Sequence, residues 1–280
     1  MQATSLKSKV IIFDTTLRDS ELMAGVKFDT QQKMQLAQML AALGVDVIEA
    51  GYPGFFRKDY DALYMISKQI KETIICGLAS SKPDEIVDVA LAIKPALRGR
   101  IHIYTPFKHQ KESGALATDL EVIQESIKLA RTYRDDIEWS AFDALNLEAD
   151  NLCRVVETAI KSGATTINIP DTFGEASPET FVKQLDRLIQ RVPNIDQATI
   201  SVHCHNDRGL AIANSIAALN VGVRQIECTI NGLGARKGNA DLVAVVQSIA
   251  EHSQFYTDID ATGLPDASTL VHQMTGIKLA

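Results

Sequence analysis

A chain of 280 residues, 46% hydrophobic and 22% charged, has the make-up of an ordinary globular protein and is long enough for one α/β barrel or two smaller domains. A net charge of −7 leaves no basic footprint for nucleic acid, and no Lys/Arg-rich segment marks contact with an anionic membrane surface. No uninterrupted apolar run approaches a membrane span, so a small-molecule partner is expected.

The N-terminal stretch MQATSLKSKVIIFD has too few apolar residues before Asp14 for a signal peptide. Within it VIIFD (10–14) is the first predicted strand. The segment DTQQKMQLAQMLAALG then reads as a helix from Asp29/Thr30 to Gly44. Strands follow at VDVIEA (45–50) and TIICGLA (73–79), and SKPDEIVDVALAI begins a helix at Ser81 with Pro83 in its first turn. RIHIY (100–104), DIEWSA (136–141) and TTINIP (165–170) are the next strands. SPETFVKQLDRLIQRVPN is a helix with Ser177 as N-cap, Pro178 at its first position and a stop at Pro193. TISVHCH (199–205) and RQIECTI (224–230) complete eight strands.

Strands joined by helices of this length must run parallel, and eight such units match a closed (β/α)8 TIM barrel better than an open doubly wound sheet. Residues 1–258 are read as the barrel and residues 259–280 as a short helical tail. Cys76, Cys153, Cys204 and Cys228 stand singly with no C-x-x-C pair, which fits a reducing cytoplasm.

In such a barrel the active site lies at the C-terminal ends of the strands. Those ends read DTTLRDSE, EAGYPG, ASSKP, HIYTP, SAFDA, PDTFG, HCHND and NGLGARKGN, and they concentrate charged, hydroxyl and imidazole groups. His203 and His205 project to one side of their strand and Cys204 to the other. The first and eighth strands are neighbours at barrel closure and the seventh adjoins the eighth, so Asp19, His203, His205 and Asn239 can converge. Two imidazoles, a carboxylate and an amide oxygen suit zinc, manganese or magnesium. Each residue also has a plainer reading. The histidines can be solvated, Asn239 can cap the helix ADLVAVVQSIA, Asp19 can pair with Arg18 at the surface, and Glu49 can be a buried partner of Arg18. The glycines of NGLGARKG lack the dinucleotide-binding spacing and read as a tight turn.

DTTLRD, GVDVIEAGYP, TTINIPDTFGEASPE, VHCHNDRGLAIANS and ECTINGLGARKGNA, in this order and spacing, closely resemble the 2-isopropylmalate synthase branch of the DRE-TIM metallolyase family. The resemblance covers essentially the whole chain. It implies an acyltransferase that joins acetyl-CoA to an α-keto acid, as in 2-isopropylmalate formation for leucine biosynthesis. It also implies one divalent metal ion (Zn, Mn or Mg), held by Asp19, His203, His205 and Asn239. Arg18 resembles the arginine that stabilises the developing oxyanion, and Glu49 a rim carboxylate that orients it. His102, Ser140 and Thr172 match positions lining the keto-acid pocket. A cytoplasmic homodimer is implied as well.

The chain departs from the family's text at four places. Ser20 and Leu22 stand where relatives have Gly and Gln, Phe142 stands where a glutamate handles protons, and TPFKHQKESG replaces a Ser- and His-bearing loop. Phenylalanine can neither take a proton nor accept a hydrogen bond. With Leu22 and Tyr104 it would turn the pocket toward a more apolar keto acid. The family's later subdomains would begin about where HQMTGIKLA ends, and both a fragment and a short paralogue fit. Two other readings fit the same residues: a carbon–carbon lyase or aldolase of the superfamily, and a barrel that binds metal and keto acid without catalysis.

Overall fold

Alternation along each strand sends one row of side chains toward the helices and the other into the barrel. The computed structural model describes residues 7–107 and 115–277. Its elements are β1 (Ser8–Lys9), β2 (Ile11–Asp14), α1 (Thr30–Ala42), β3 (Val47–Glu49), α2 (Asp59–Gln69), β4 (Ile74–Ser80), α3 (Pro83–Ala92), β5 (Gly99–Pro106), α4 (Ala115–Arg131), β6 (Asp136–Phe142), α5 (Ala149–Ser162), β7 (Thr166–Asp171), α6 (Pro178–Arg191), β8 (Thr199–Cys204), α7 (Ala211–Leu219), β9 (Gln225–Cys228), α8 (Leu242–Glu251), β10 (Phe255–Tyr256) and α9 (Leu264–Thr275). Strands β2 to β9 form a closed parallel barrel in sequence order, shut by β2 against β9 with Ile11 opposite Gln225. This is the expected (β/α)8 barrel, with strand ends within a few residues of those read from the sequence.

The outward row is apolar: Ile12, Ile48, Ile75, Ile101, Trp139, Ile167 and Val202 are fully buried in the core beneath the helices. The inward row divides into two arcs. On β2 to β4 it is apolar below Glu49, with Phe13, Val47 and Cys76 packed together against Ile11 and Ile74. On β5 to β9 it is polar and hydrogen-bonded. Arg100 Nη1 donates to Glu138 Oε2 and Gln225 Oε1, both at 2.8 Å, and Gln225 Nε2 donates to Glu138 Oε1 at 2.7 Å and to Ser201 Oγ at 2.9 Å. A buried network of this kind is tolerated because each charge meets a partner. Burial pushes the Glu138 carboxyl up to about 7 even though Arg100 opposes the rise.

Side chains cap the starts of α1, α5, α6 and α8. Asp29 and Gln32 form a reciprocal capping box on α1, and Ser177 accepts from Thr180 N at the start of α6. Two expectations are corrected. α3 begins at Pro83 and not at Ser81; the Ser81 Oγ bonds to the Tyr104 carbonyl and lies 2.8 Å from Thr105 Oγ1, and Lys82 holds the N-cap position without a side-chain bond. Asn239 does not cap α8, because Asp241 does so by accepting from Ala244 N.

One pairing had no sequence signal. β1 pairs with β10 in a two-residue parallel ladder, too short for any periodicity. The tail helix α9 is laid onto the barrel by buried Leu264, Ala267 and Val271, and Ser268 and Asn231 exchange hydrogen bonds. Of the departing segment TPFKHQKESG, residues 108–114 lie outside the described residues.

Candidate active site

The site is built first by the turn after β2. Asp14 accepts from Thr16 N and Thr16 Oγ1, both at 2.9 Å, and Thr16 Oγ1 accepts from Ile230 N at 2.8 Å. These bonds tie the loop after β2 to the loop after β9 and carry the chain into a 3₁₀ turn at Asp19–Leu22. Arg18 and Asp19 are thereby buried at the barrel mouth, not paired at the surface.

Arg18 is clamped from two sides. Its Nε donates to Glu49 Oε2 at 2.7 Å and its Nη1 to Asp19 Oδ1 at 2.5 Å. Glu49, at the end of β3, also accepts from Thr15 Oγ1 at 2.6 Å, and its Oε1 lies 2.8 Å from His102 Nδ1. Burial opposes ionisation of Glu49, but Arg18 and His102 outweigh it and hold its carboxyl well below the ordinary range. Glu49 is completely buried, so it does not stand at the rim; it meets the cavity residues through Arg18 and through His102.

Asp19, His203 and His205 offer ligand atoms that all lie within 4.8 Å of one another. The hydrogen bonds around them fix what each atom presents. Asn239 Nδ2 donates to Asp19 Oδ2 at 2.6 Å and to the Leu233 carbonyl at 3.0 Å, which turns its Oδ1 toward His203. His203 Nδ1 faces the Glu227 carboxylate at 2.6 Å and therefore carries a proton, while its Nε2 lies 2.8 Å from Asn239 Oδ1. His205 Nδ1 donates to the Gly238 carbonyl at 3.3 Å, leaving Nε2 as its acceptor. Burial, with His203 adding to it, pushes the His205 imidazole down to about 4, so it is neutral and able to ligate. Burial also opposes charge on Asp19, yet Arg18, helped by the hydrogen bond from Asn239, holds its carboxyl below the usual value. Gly234 gives this cluster room, since a Cβ there would sit 2.1 Å from Asn239 Nδ2 and 2.7 Å from Asp19 Oδ2.

This donor set fits a divalent cation. One carboxylate, two imidazoles and one amide oxygen converge. The 2.8 Å approach of His203 Nε2 to Asn239 Oδ1 is met either by a proton on Nε2 or by a cation that both atoms ligate. Glu49, Cys76 and His102 form another close group, as do His102, Glu138 and Glu227. Burial raises the Cys76 thiol far above its ordinary value, and Glu49 is saturated by three donors, so the first of these is a poor metal site.

A cavity of about 510 Å³ opens beside the donor cluster, lined on one side by Arg18, Asp19, Ser140, Asn168, Thr172, His203 and His205. Ser140 Oγ accepts from Asn168 Nδ2 at 2.8 Å, and Thr172 Oγ1 accepts from Asp143 N at 3.0 Å. The expectation for His102 is corrected: it does not line the cavity. Its Nδ1 is taken by Glu49 and its Nε2 lies 2.7 Å from Ser140 Oγ, so it stands behind the wall and holds Ser140. Sequence reasoning missed Glu227, Asn168 and the Arg236–Asp207 clamp, in which Arg236 Nε donates to Asp207 Oδ1 at 2.9 Å. For the first two a signal existed, a polar residue at inward parity within an apolar strand.

The HMGL-like family profile matches residues 9–271. The chain is 46% identical over 283 residues to the 2-isopropylmalate synthase of Bradyrhizobium sp. (strain BTAi1 / ATCC BAA-1182), covering 98% of this chain and 54% of that protein. It thus spans about half the length of the curated relatives it matches. Among solved structures it superposes on the HMG-CoA lyase of Bacillus subtilis with a TM-score of 0.82 at 19% identity, covering 98% of this chain and 96% of that one. The hydroxymethylglutaryl-CoA lyase of Pseudomonas aeruginosa gives a TM-score of 0.81 at 18% identity, covering 98% and 95%. At these identities the structural likeness speaks to the barrel alone.

Proposed function

The chain belongs to the HMGL-like family, and from that membership and its site we propose that it condenses acetyl-CoA with an α-keto acid as a 2-isopropylmalate synthase-type acyltransferase. The observation that carries the reading is the single mouth at which Arg18, clamped by Glu49, meets the Asp19, His203, His205 and Asn239 donors. In the reaction the acetyl methyl carbon loses a proton and bonds to the keto carbon. The keto oxygen gains a proton and becomes a hydroxyl, and water cleaves the thioester to release free CoA.

Asp19, His203, His205 and Asn239 would hold the divalent metal ion, which when bound supplies a Lewis acid that polarises the keto carbonyl. Arg18 donates to the oxygen that gains negative charge. Its Nε and Nη1 are anchored, and among the described residues its Nη2 has no hydrogen-bond partner, so those protons remain for the substrate. Ser140 and Thr172 line the cavity and can bind the keto-acid carboxylate, with His102 and Asn168 fixing the Ser140 hydroxyl. We place the reaction in the cytoplasm: the four cysteines are free, and among the described residues no helix is long and apolar enough to cross a membrane. The partners of this reading are acetyl-CoA and an α-keto acid, with neither nucleic acid nor membrane involved. A homodimer is supported by the exposed apolar Tyr64 and Met65 on α2 and Leu91 on α3.

The test is thiol release from acetyl-CoA by the purified, metal-supplemented chain against a panel of α-keto acids. Turnover is expected, and Arg18→Ala should slow it by roughly 10²- to 10³-fold with metal content unchanged. Keto-acid release from a hydroxy acid without acetyl-CoA would replace the synthase reading with a lyase. Metal and keto-acid binding with neither reaction would leave a binding barrel.

A further inference from the structure

The two sides of the cavity differ in chemistry. The metal-donor residues and Arg18 come from the ends of β2, β8 and β9, and the facing arc is apolar. That arc is built by Leu22, by Tyr52 and Phe55 after β3, by Tyr104 on β5 and by Phe142 at the end of β6. Tyr52 and Phe55 stack with centroids 5.8 Å apart, Tyr52 and Tyr104 meet edge to face at 6.1 Å, and Tyr104 and Phe142 tilt together at 6.0 Å. The rings therefore form one continuous wall.

The wall has no polar group to spare. Tyr52 OH donates to Glu85 Oε2 at 2.8 Å and lies 3.0 Å from Tyr104 OH, so both hydroxyls are spent on each other and on Glu85. The cations beside it are also engaged: Arg57 donates to Asp88 at 2.6 Å and Lys58 to Glu21 at 2.5 Å. Among the described residues nothing on this arc is placed to receive a second substrate carboxylate. Yet its apolar surface is open, with Leu22, Phe55 and Phe142 exposed by 44%, 65% and 40%. Apolar surface clustered at a polar site is matched by an apolar ligand group.

Resting on the condensation reading, we infer that the α-keto acid taken by this site carries a large aryl side chain, seated against the ring wall while its carboxylate and keto oxygen face Arg18 and the donor cluster. A methyl side chain would not cover the wall, and a carboxylate-bearing one would be desolvated against it with no partner among the described residues. A phenyl ring would cover the exposed edges of Phe142 and Leu22 and meet Tyr104 at aromatic contact distance.

The experiment is calorimetric titration of the Mn²⁺-loaded 280-residue chain with pyruvate, 2-oxoisovalerate, 2-oxoglutarate and phenylpyruvate, with thiol release from acetyl-CoA measured in parallel. Phenylpyruvate should bind at least about tenfold more tightly than pyruvate, the scale that filling an apolar pocket sets. Phe142→Ala should cut that ratio by roughly tenfold, and Leu22→Ala serves as a second, equally exposed probe. Equal or better binding and turnover of the small keto acids overturns the aryl preference and leaves the condensation reading standing. An unchanged ratio in both variants overturns the contact with the wall. Failure of every keto acid to bind or react overturns the condensation reading and this inference with it. Self-association of the chain that Phe142→Ala abolishes, with no preference among keto acids, assigns the wall to a contact between copies and overturns the inference.

Discussion

Glu227 shows how one buried side chain decides what its neighbour can do. Its carboxylate accepts the His203 Nδ1 proton, so the ring is fixed in orientation and its Nε2 is aimed at the donor cluster. Glu227→Gln keeps the shape and removes the charge. Divalent-metal affinity should fall about 10- to 100-fold, measured by competition with a chromophoric chelator, and unchanged affinity would remove Glu227 from the site. His203→Ala should leave no stoichiometric metal in the dialysed protein, because it deletes one of the two imidazoles. Much of this cluster was legible in the sequence: HCHND, TLRD and GNA place Asp19, His203, His205 and Asn239 on adjoining strand ends. Glu227 was not picked out, although it sits at inward parity in RQIECTI, because only the strand register sets it opposite His203. Nor was the placement of His102, whose exclusion from the cavity depends on Glu49 and Ser140 occupying both ring nitrogens.

At the scale of elements, Glu85 in the first turn of α3 ties together three pieces of chain. It accepts from Ser80 N at the end of β4 at 2.9 Å, from Tyr52 OH at 2.8 Å and from Lys82 Nζ at 2.9 Å. Burial opposes its charge, but these donors bring its carboxyl down to about 2. A value lower in the folded than in the unfolded chain means that Glu85 stabilises the fold above the ordinary carboxylate pKa near 4.5, and that this contribution is lost as pH falls toward 2. Glu85→Gln should therefore lower the melting temperature at pH 6, by about 1–2 kcal/mol of stability once the exposure of Lys82 is discounted, and should narrow the gap to wild type by pH 3. Equal losses at both pH values would show that the charge is irrelevant. Element boundaries were readable where a side chain caps the helix, as at Asp29 and Ser177. They were misread at Ser81, which looks like a helix start but is drawn to the carbonyl of Tyr104 on the neighbouring strand.

At the scale of the molecule, the polar arc inside the barrel is held by Arg100, which reaches Asp136, Glu138 and Gln225. Arg100→Ala strands Glu138 in the interior and should cost about 3–5 kcal/mol, seen as a lower urea midpoint. Adding Glu138→Leu should recover part of that loss, and purely additive losses would count against a coupled pair. The barrel itself was legible because eight β-branched runs recur between helix-length segments. The division of its interior into an apolar and a polar arc was not, because inward and outward residues can be separated only once the register is known. Closure has a consequence in time. Asn239 reaches Asp19 across 220 positions of chain, so the donor cluster exists only after the last barrel strand has met the first. A ribosome needs roughly 10–45 s to make that much chain, and until then β2 waits with an open edge. On the proposed metal site, metal capture is thus a clock for barrel closure. In refolding it should lag the burial of Trp139 in the outer core and arrive with the final phase.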